Sequence, residues 1–179
     1  MTEVFMRATL IGLILAIAVG SGSPVAAASP SADESRAAAE FFLAACRGSA
    51  DNLSAVADLA RRQNWTSMRD PGFPEKEPIK VDGMWRVVRN GLSYSVTTGT
   101  GPDGKTGCQV AFDAPRPDRD AFFATVSHAL TLTPDLDQAM THFRLEIYRI
   151  ENLAPKNVVL LFLSSHDDGA VFTASIMVN

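Results

Sequence analysis

A chain of 179 residues with 46% hydrophobic content is long enough for one domain of ordinary size with a real core. Its net charge of -4, with no basic cluster longer than Ala60-Arg61-Arg62, leaves no electrostatic footprint for nucleic acid. Nucleic acid is therefore excluded as an expected partner.

Residues 1–28 read as an export signal. Arg7 stands in a short leader, followed by the apolar run ATLIGLILAIAV and the small-residue stretch GSGSPVAAAS. A run of about twelve residues falls short of the roughly twenty that span a bilayer as a helix. Ala26-Ala27-Ala28 before Ser29 satisfies the A-x-A rule for cleavage, and no cysteine lies near the site to accept a lipid. The expectation is a cleaved leader, one mature domain over residues 29–179 with no stable membrane anchor, and a periplasmic or secreted location. The only cysteines are Cys46 and Cys108, which in an exported chain points to one disulfide.

Between Ser31 and Arg47, the positions Ala38, Phe41, Phe42, Ala45 and Cys46 follow the spacing of one helical face, which puts Cys46 on the buried side. A second helix is expected after Ser49 as N-cap, with Asp51 in its first turn. It buries Leu53, Val56, Ala57 and Ala60 and ends near Asn64-Trp65. The following DPGFPEKEP is too rich in proline to continue a regular element and reads as a surface loop.

The period then changes from 3.6 to 2. Trp85 and Val87 alternate before Asn90-Gly91, and Leu92, Tyr94 and Val96 after it, the signature of a hairpin with a type I' turn. CQVAFDA supplies a third strand with Cys108, Val110 and Phe112 on one face. Pro115 and Pro117 close this group, and Asp118 caps a third helix with Phe122, Val126, Ala129 and Leu130 on its apolar side. TLTPDLDQAM reads as a connector with room for a helical turn. Three strands follow: FRLEIYRI, VVLLFLSS and AVFTASIMV. Val158 to Leu163 is apolar without alternation, which places it centrally with both faces covered. The predicted fold is α+β: two N-terminal helices, then a mostly antiparallel sheet of about six strands in two three-stranded groups separated by a helix.

One stretch matches a chemical motif. GTGPDGKT, Gly99 to Thr106, has the G-x-x-x-x-G-K-[ST] pattern of a phosphate-binding loop. Such a loop needs a helix directly after it, because the helix N-terminus holds the phosphate. Here Gly107-Cys108-Gln109-Val110 continues as a strand, Pro102-Asp103-Gly104 reads as a turn, and Lys105 is expected to point into solvent. No nucleotide or other cofactor is expected.

His128, His142 and His166 show no i, i+4 spacing and no C-x-x-C context, so no metal site is expected. His166-Asp167-Asp168-Gly169 reads as a turn. No G-x-S-x-G elbow is present, and Ser164, His166 and Asp167 lie too close along the chain to form a relay. The aromatics Trp65, Trp85, Phe73 and Tyr148 could line a binding surface, but large aromatics are mostly structural.

The series AAEFFLAACRGSADNLSAVADLARRQNW, then GKTGCQVAF and a Phe-rich helix, resembles a group of small exported proteobacterial proteins without an assigned activity. Phe42, Cys46, Trp65 and Cys108 occupy the matching positions. The resemblance implies a disulfide-linked exported domain and carries over no catalytic residue. Taken together, the sequence predicts a non-catalytic binding or interaction module for a protein or small-molecule ligand. No catalytic, cofactor-binding or metal-ligating residue is assigned. The competing reading is a small secreted hydrolase using His142 or His166 with an acid.

Overall fold

The structure, a computed structural model, describes residues 32–50, 52–68, 80–112, 118–154, 157–165 and 172–178. The expected leader, the proline-rich stretch 70–78 and the expected turn at 166–169 lie outside the described residues.

Helix α1 spans Ala32–Cys46 and buries Ala38, Phe41, Phe42, Ala45 and Cys46, the stripe its periodicity predicts. Asp33 and Glu34 in its first turn complement the helix dipole. Ser49 is not the N-cap expected of it. It lies in a 3-10 turn, Arg47–Ala50, where its hydroxyl donates to the Cys46 carbonyl at 2.6 Å. Asn52 takes over instead: its side-chain oxygen accepts from the Ser54 N–H at 2.9 Å, and helix α2 runs over Ser54–Arg62. Asn64, at φ 53°, then turns the chain out through the left-handed region, a common helix ending.

The strands are β1 Thr66–Ser67, β2 Lys80–Arg89, β3 Leu92–Thr100, β4 Thr106–Phe112, β5 Leu132–Ala139, β6 Phe143–Ile150, β7 Val158–Ser165 and β8 Phe172–Val178. Helix α3, Arg119–Ala129, stands between β4 and β5. The two strand groups are not separate. They join through β4 and β8 into one antiparallel sheet of eight strands, in the order β1-β2-β3-β4-β8-β7-β6-β5. The sequence estimate of six strands omitted both edges. β1 is two residues long, too short for an alternation to register. β5 contains Pro134, which argues against a central strand but is tolerated on an edge, here beside a bulge between Pro134 and Leu136.

The hairpin forms as predicted: Arg89 pairs with Leu92 across Asn90 at φ 52° and Gly91 at φ 78°, the positive angles a type I' turn requires. Asp118 caps α3, accepting the Ala121 N–H at 3.0 Å. Its backbone N–H also donates to the buried Ser35 hydroxyl at 2.8 Å, tying the start of α3 to α1.

All three helices contribute to the core on one face of the sheet. There Val96, Cys108, Val110, Phe112, Leu160, Phe162, Phe172 and Ile176 meet Phe42, Phe122 and Val126 from the helices. Phe112, Phe122, Phe162 and Phe172 form a cluster of mostly edge-on rings, a favoured aromatic arrangement. β7 is buried on both sides, as its unbroken apolar run predicts: Val158, Leu160 and Phe162 face the helices, while Val159 and Leu161 belong to a second cluster.

Candidate functional site

A connected group of partly buried titratable side chains lies where α3 meets β6. Glu146 shares the helix-facing row of β6 with Tyr148 and Ile150, and is the one charged side chain fully buried among the described residues. A buried carboxylate needs compensation, and Arg119 in the first turn of α3 supplies it with a two-pronged contact. Arg119 Nε donates to Glu146 Oε2 at 2.8 Å, and Nη2 donates to Oε1. The Tyr148 hydroxyl donates to Oε1 at 2.9 Å. The guanidinium also lies 4.6 Å from the centre of the Phe123 ring, and Phe123 packs on Tyr148.

These contacts set the electrostatics. Burial alone would raise the Glu146 pKa, but hydrogen bonds from Arg119 and Tyr148 outweigh it and hold the carboxyl below its usual range. Burial and the hydrogen bond to Glu146 push the Tyr148 phenol up to about 12. Arg119 is held more firmly protonated than usual, first by its hydrogen bond to Glu146. The network extends outward: Asp120 accepts from Arg119 Nη1, and Arg144 makes a second two-pronged contact with Asp137 on β5, at 2.9 and 2.6 Å. Chemically this is a clamp. Both oxygens of Glu146 are engaged, so it is a poor general base.

The motif GTGPDGKT is a strand-to-strand connection. Its glycines and threonines close β3 and open β4, Gly101 N–H donates to the Lys105 carbonyl at 2.7 Å, and Gly104 sits at φ 78° where a side chain is disfavoured. Lys105 does not point into solvent as the turn chemistry suggested. Its Nζ lies 3.0 Å from Asp103 Oδ2, and the side chain is only 17% exposed. The same Asp103 accepts the Lys105 backbone N–H, so the aspartate that shapes the turn also captures the lysine.

Cys46 and Cys108 form a disulfide with Cα atoms 5.4 Å apart, both sulfurs buried beneath α1. His128, at the end of α3, and His142, between β5 and β6, are exposed, and His166 lies outside the described residues. Among the described residues no group of three or more His, Cys, Asp or Glu could hold a metal ion. No helix among them is long and apolar enough to cross a membrane. Trp65 and Trp85 meet edge to face and pack partly buried on the core through Phe41, and Phe73 lies outside the described residues.

The face of the sheet turned away from the helices has a different character. Leu145, Val159, Leu161 and Met177 are buried there, with Leu136, Met140, Ile147 and Leu163 packed around them, and among the described residues no helical one belongs to this cluster. Beside it on β4 and β8, Gln109 Nε2 and Thr173 Oγ1 are buried without a hydrogen-bond partner.

Sequence reasoning missed the Arg119–Glu146 clamp, because Glu146 alternates with Arg144, Tyr148 and Ile150, a row that reads in sequence as the polar side of the strand beside Phe143, Leu145 and Ile147. Compared with protein-family models, with curated proteins and with solved structures, the chain matches none.

Proposed function

We propose that this chain is an exported, periplasmic or secreted, non-catalytic binding module of the kind implied by its likeness to small exported proteobacterial proteins. The observation that carries the reading is the asymmetry of the sheet. One face is sealed by helices over a buried disulfide, while the other bears a separate apolar cluster to which no helix among the described residues contributes. A disulfide in the core is in keeping with an oxidising compartment. Its place between α1 and the central strand β4 gives a rigid platform on which the opposite face can serve recognition. The acid–base groups the fold gathers are paired with one another, which favours binding over catalysis.

Three measurements test this. Mass analysis of the exported chain is expected to show a mature start at Ser29 and no alkylatable thiol; an uncleaved chain with two free thiols would remove the export reading. Pull-down from periplasmic extract, with bound small molecules and proteins identified by mass spectrometry, is expected to recover a stoichiometric ligand. Turnover of a general ester or peptide substrate that is lost on His142→Ala would favour the hydrolase instead.

A further inference from the structure

The eight-stranded sheet consists of two meanders joined along one line. Every other pairing is between strands consecutive in the chain, whereas β4 and β8 are neighbours without being consecutive. Theirs is also the shortest ladder apart from that of the two-residue β1: Gly107 to Phe112 on Met177 to Phe172. The disulfide does not cross this line, because it ties Cys108 of β4 to Cys46 of α1. Side-chain hydrogen bonding singles out the same seam. Among the described residues, two buried side-chain polar atoms lack a partner, Gln109 Nε2 on β4 and Thr173 Oγ1 on β8, in residues 6% and 3% exposed. Gln109 is opposite Ser175 and Thr173 opposite Ala111, so the two stand diagonally across the seam, on the face turned away from the helices.

Each orphaned group destabilises the closed seam relative to an open one, in which water supplies the missing partner. On the helix side the same seam is apolar. Val110 and Phe112 are buried there with Phe172 and Ala174, and the rings of Phe112 and Phe172 lie 5.2 Å apart. Phe122 of α3 touches both rings, so the helix layer bridges the two meanders on that side. One side of the seam gains on meeting water and the other loses, which is the arrangement of a hinge. We propose that the sheet is built to part between β4 and β8, as an opening of the folded protein that leaves each meander intact. β4 stays with β3 and α1, β8 stays with β7, and the backbone groups that cross the seam meet water. This conformational device goes beyond the binding-module reading and stands whether or not a ligand is found.

The test is native-state amide hydrogen exchange of the oxidised chain, read residue by residue. In an antiparallel sheet, successive residues of a central strand bond alternately to the strands on either side. Counted from the Arg89–Leu92 pair that closes the hairpin, the register assigns the amides of Cys108 and Val110 to the seam and those of Gln109 and Ala111 to β3. On β8 it assigns Ala174 and Ile176 to the seam and Thr173 and Ser175 to β7. Parting of the seam is expected to give a two-residue alternation along both strands, with the seam amides exchanging at least about tenfold faster than their neighbours. Global unfolding alone gives uniform protection along each strand. Thr173→Val keeps the shape of the side chain and removes the orphaned hydroxyl; it is expected to slow the seam amides about tenfold and to raise the Tm. Gln109→Met is expected to act in the same direction from the other side. Uniform protection along β4 and β8, or faster exchange and a lower Tm in Thr173→Val, overturns the proposal.

Discussion

Two attachments hold the helices to the sheet, and they are of opposite kinds. At β4 the tie is covalent and apolar, Cys46 to Cys108 under α1. At β6 it is ionic, Arg119 of α3 on buried Glu146. The first cross-links residues 62 apart in sequence and acts mainly by restricting the unfolded chain, so it is indifferent to pH over the range in which carboxylates and phenols titrate. The second acts within the folded state, and its value depends on one carboxylate staying charged where water does not reach. Covalent and ionic ties thus make the two halves of one sheet sensitive to different conditions, reductant on one side and proton on the other.

The largest expected effect comes from cutting the covalent tie. The double substitution Cys46→Ala with Cys108→Ala is expected to cost about 4 kcal/mol in urea unfolding, equally at neutral and mildly acidic pH; an unchanged midpoint would show that the staple is dispensable. Next, Arg119→Ala strands the Glu146 charge and should cost about 3 kcal/mol, whereas Glu146→Gln leaves a guanidinium already 35% exposed and should cost less. Equal losses from the two variants would contradict the burial asymmetry. The pH profile sharpens the contrast. Because the folded Glu146 pKa is depressed, its contribution is complete above the ordinary carboxylate value of about 4.3 and is lost as pH falls through the folded value. Tyr148 is raised, so its contribution is complete below the ordinary phenol value of about 10 and is lost as pH rises through about 12. Glu146→Gln should flatten the acid limb and Tyr148→Phe the alkaline one, as followed by Tm against pH. The smallest effect is expected at the helix cap: Asp118→Ala should cost about 1 kcal/mol, measurable by urea unfolding and unaffected by reductant.

Features set by neighbours in sequence were legible from the sequence itself. The stripe from Ala38 to Cys46, the Asn90-Gly91 turn, the Asp118 cap and the unbroken run of β7 each follow from a local rule, and each stands where that rule puts it. What escaped was decided by tertiary context. Pro134 hid β5, because proline is acceptable in a strand only once the strand is known to be an edge. Ser49 and Asn52 compete for the same helix start, and a 3-10 turn after Cys46 gives it to Asn52. Lys105 was read as solvated because the side-chain reach to Asp103 does not show in a pattern of residue types. The clamp joins Arg119 of a helix to Glu146 of β6, far apart in sequence, and the row Arg144, Glu146, Tyr148 and Ile150 reads locally as the polar side of its strand, so no local rule announced it.

The pairing of β4 with β8, with Gly107 opposite Met177 and Phe112 opposite Phe172, makes the last of the eight described strands the one that completes the middle of the sheet. During synthesis the strand that closes this seam, β8, emerges long after Cys46 and Cys108 have both appeared. Until then β4 and β7 each present an unpaired edge, and the N-terminal half must wait as a partly built, cross-linked unit. Contacts of such sequence separation fold slowly. The chain is therefore most exposed to misassembly in the interval between oxidation of its cysteines and arrival of its final seven-residue strand.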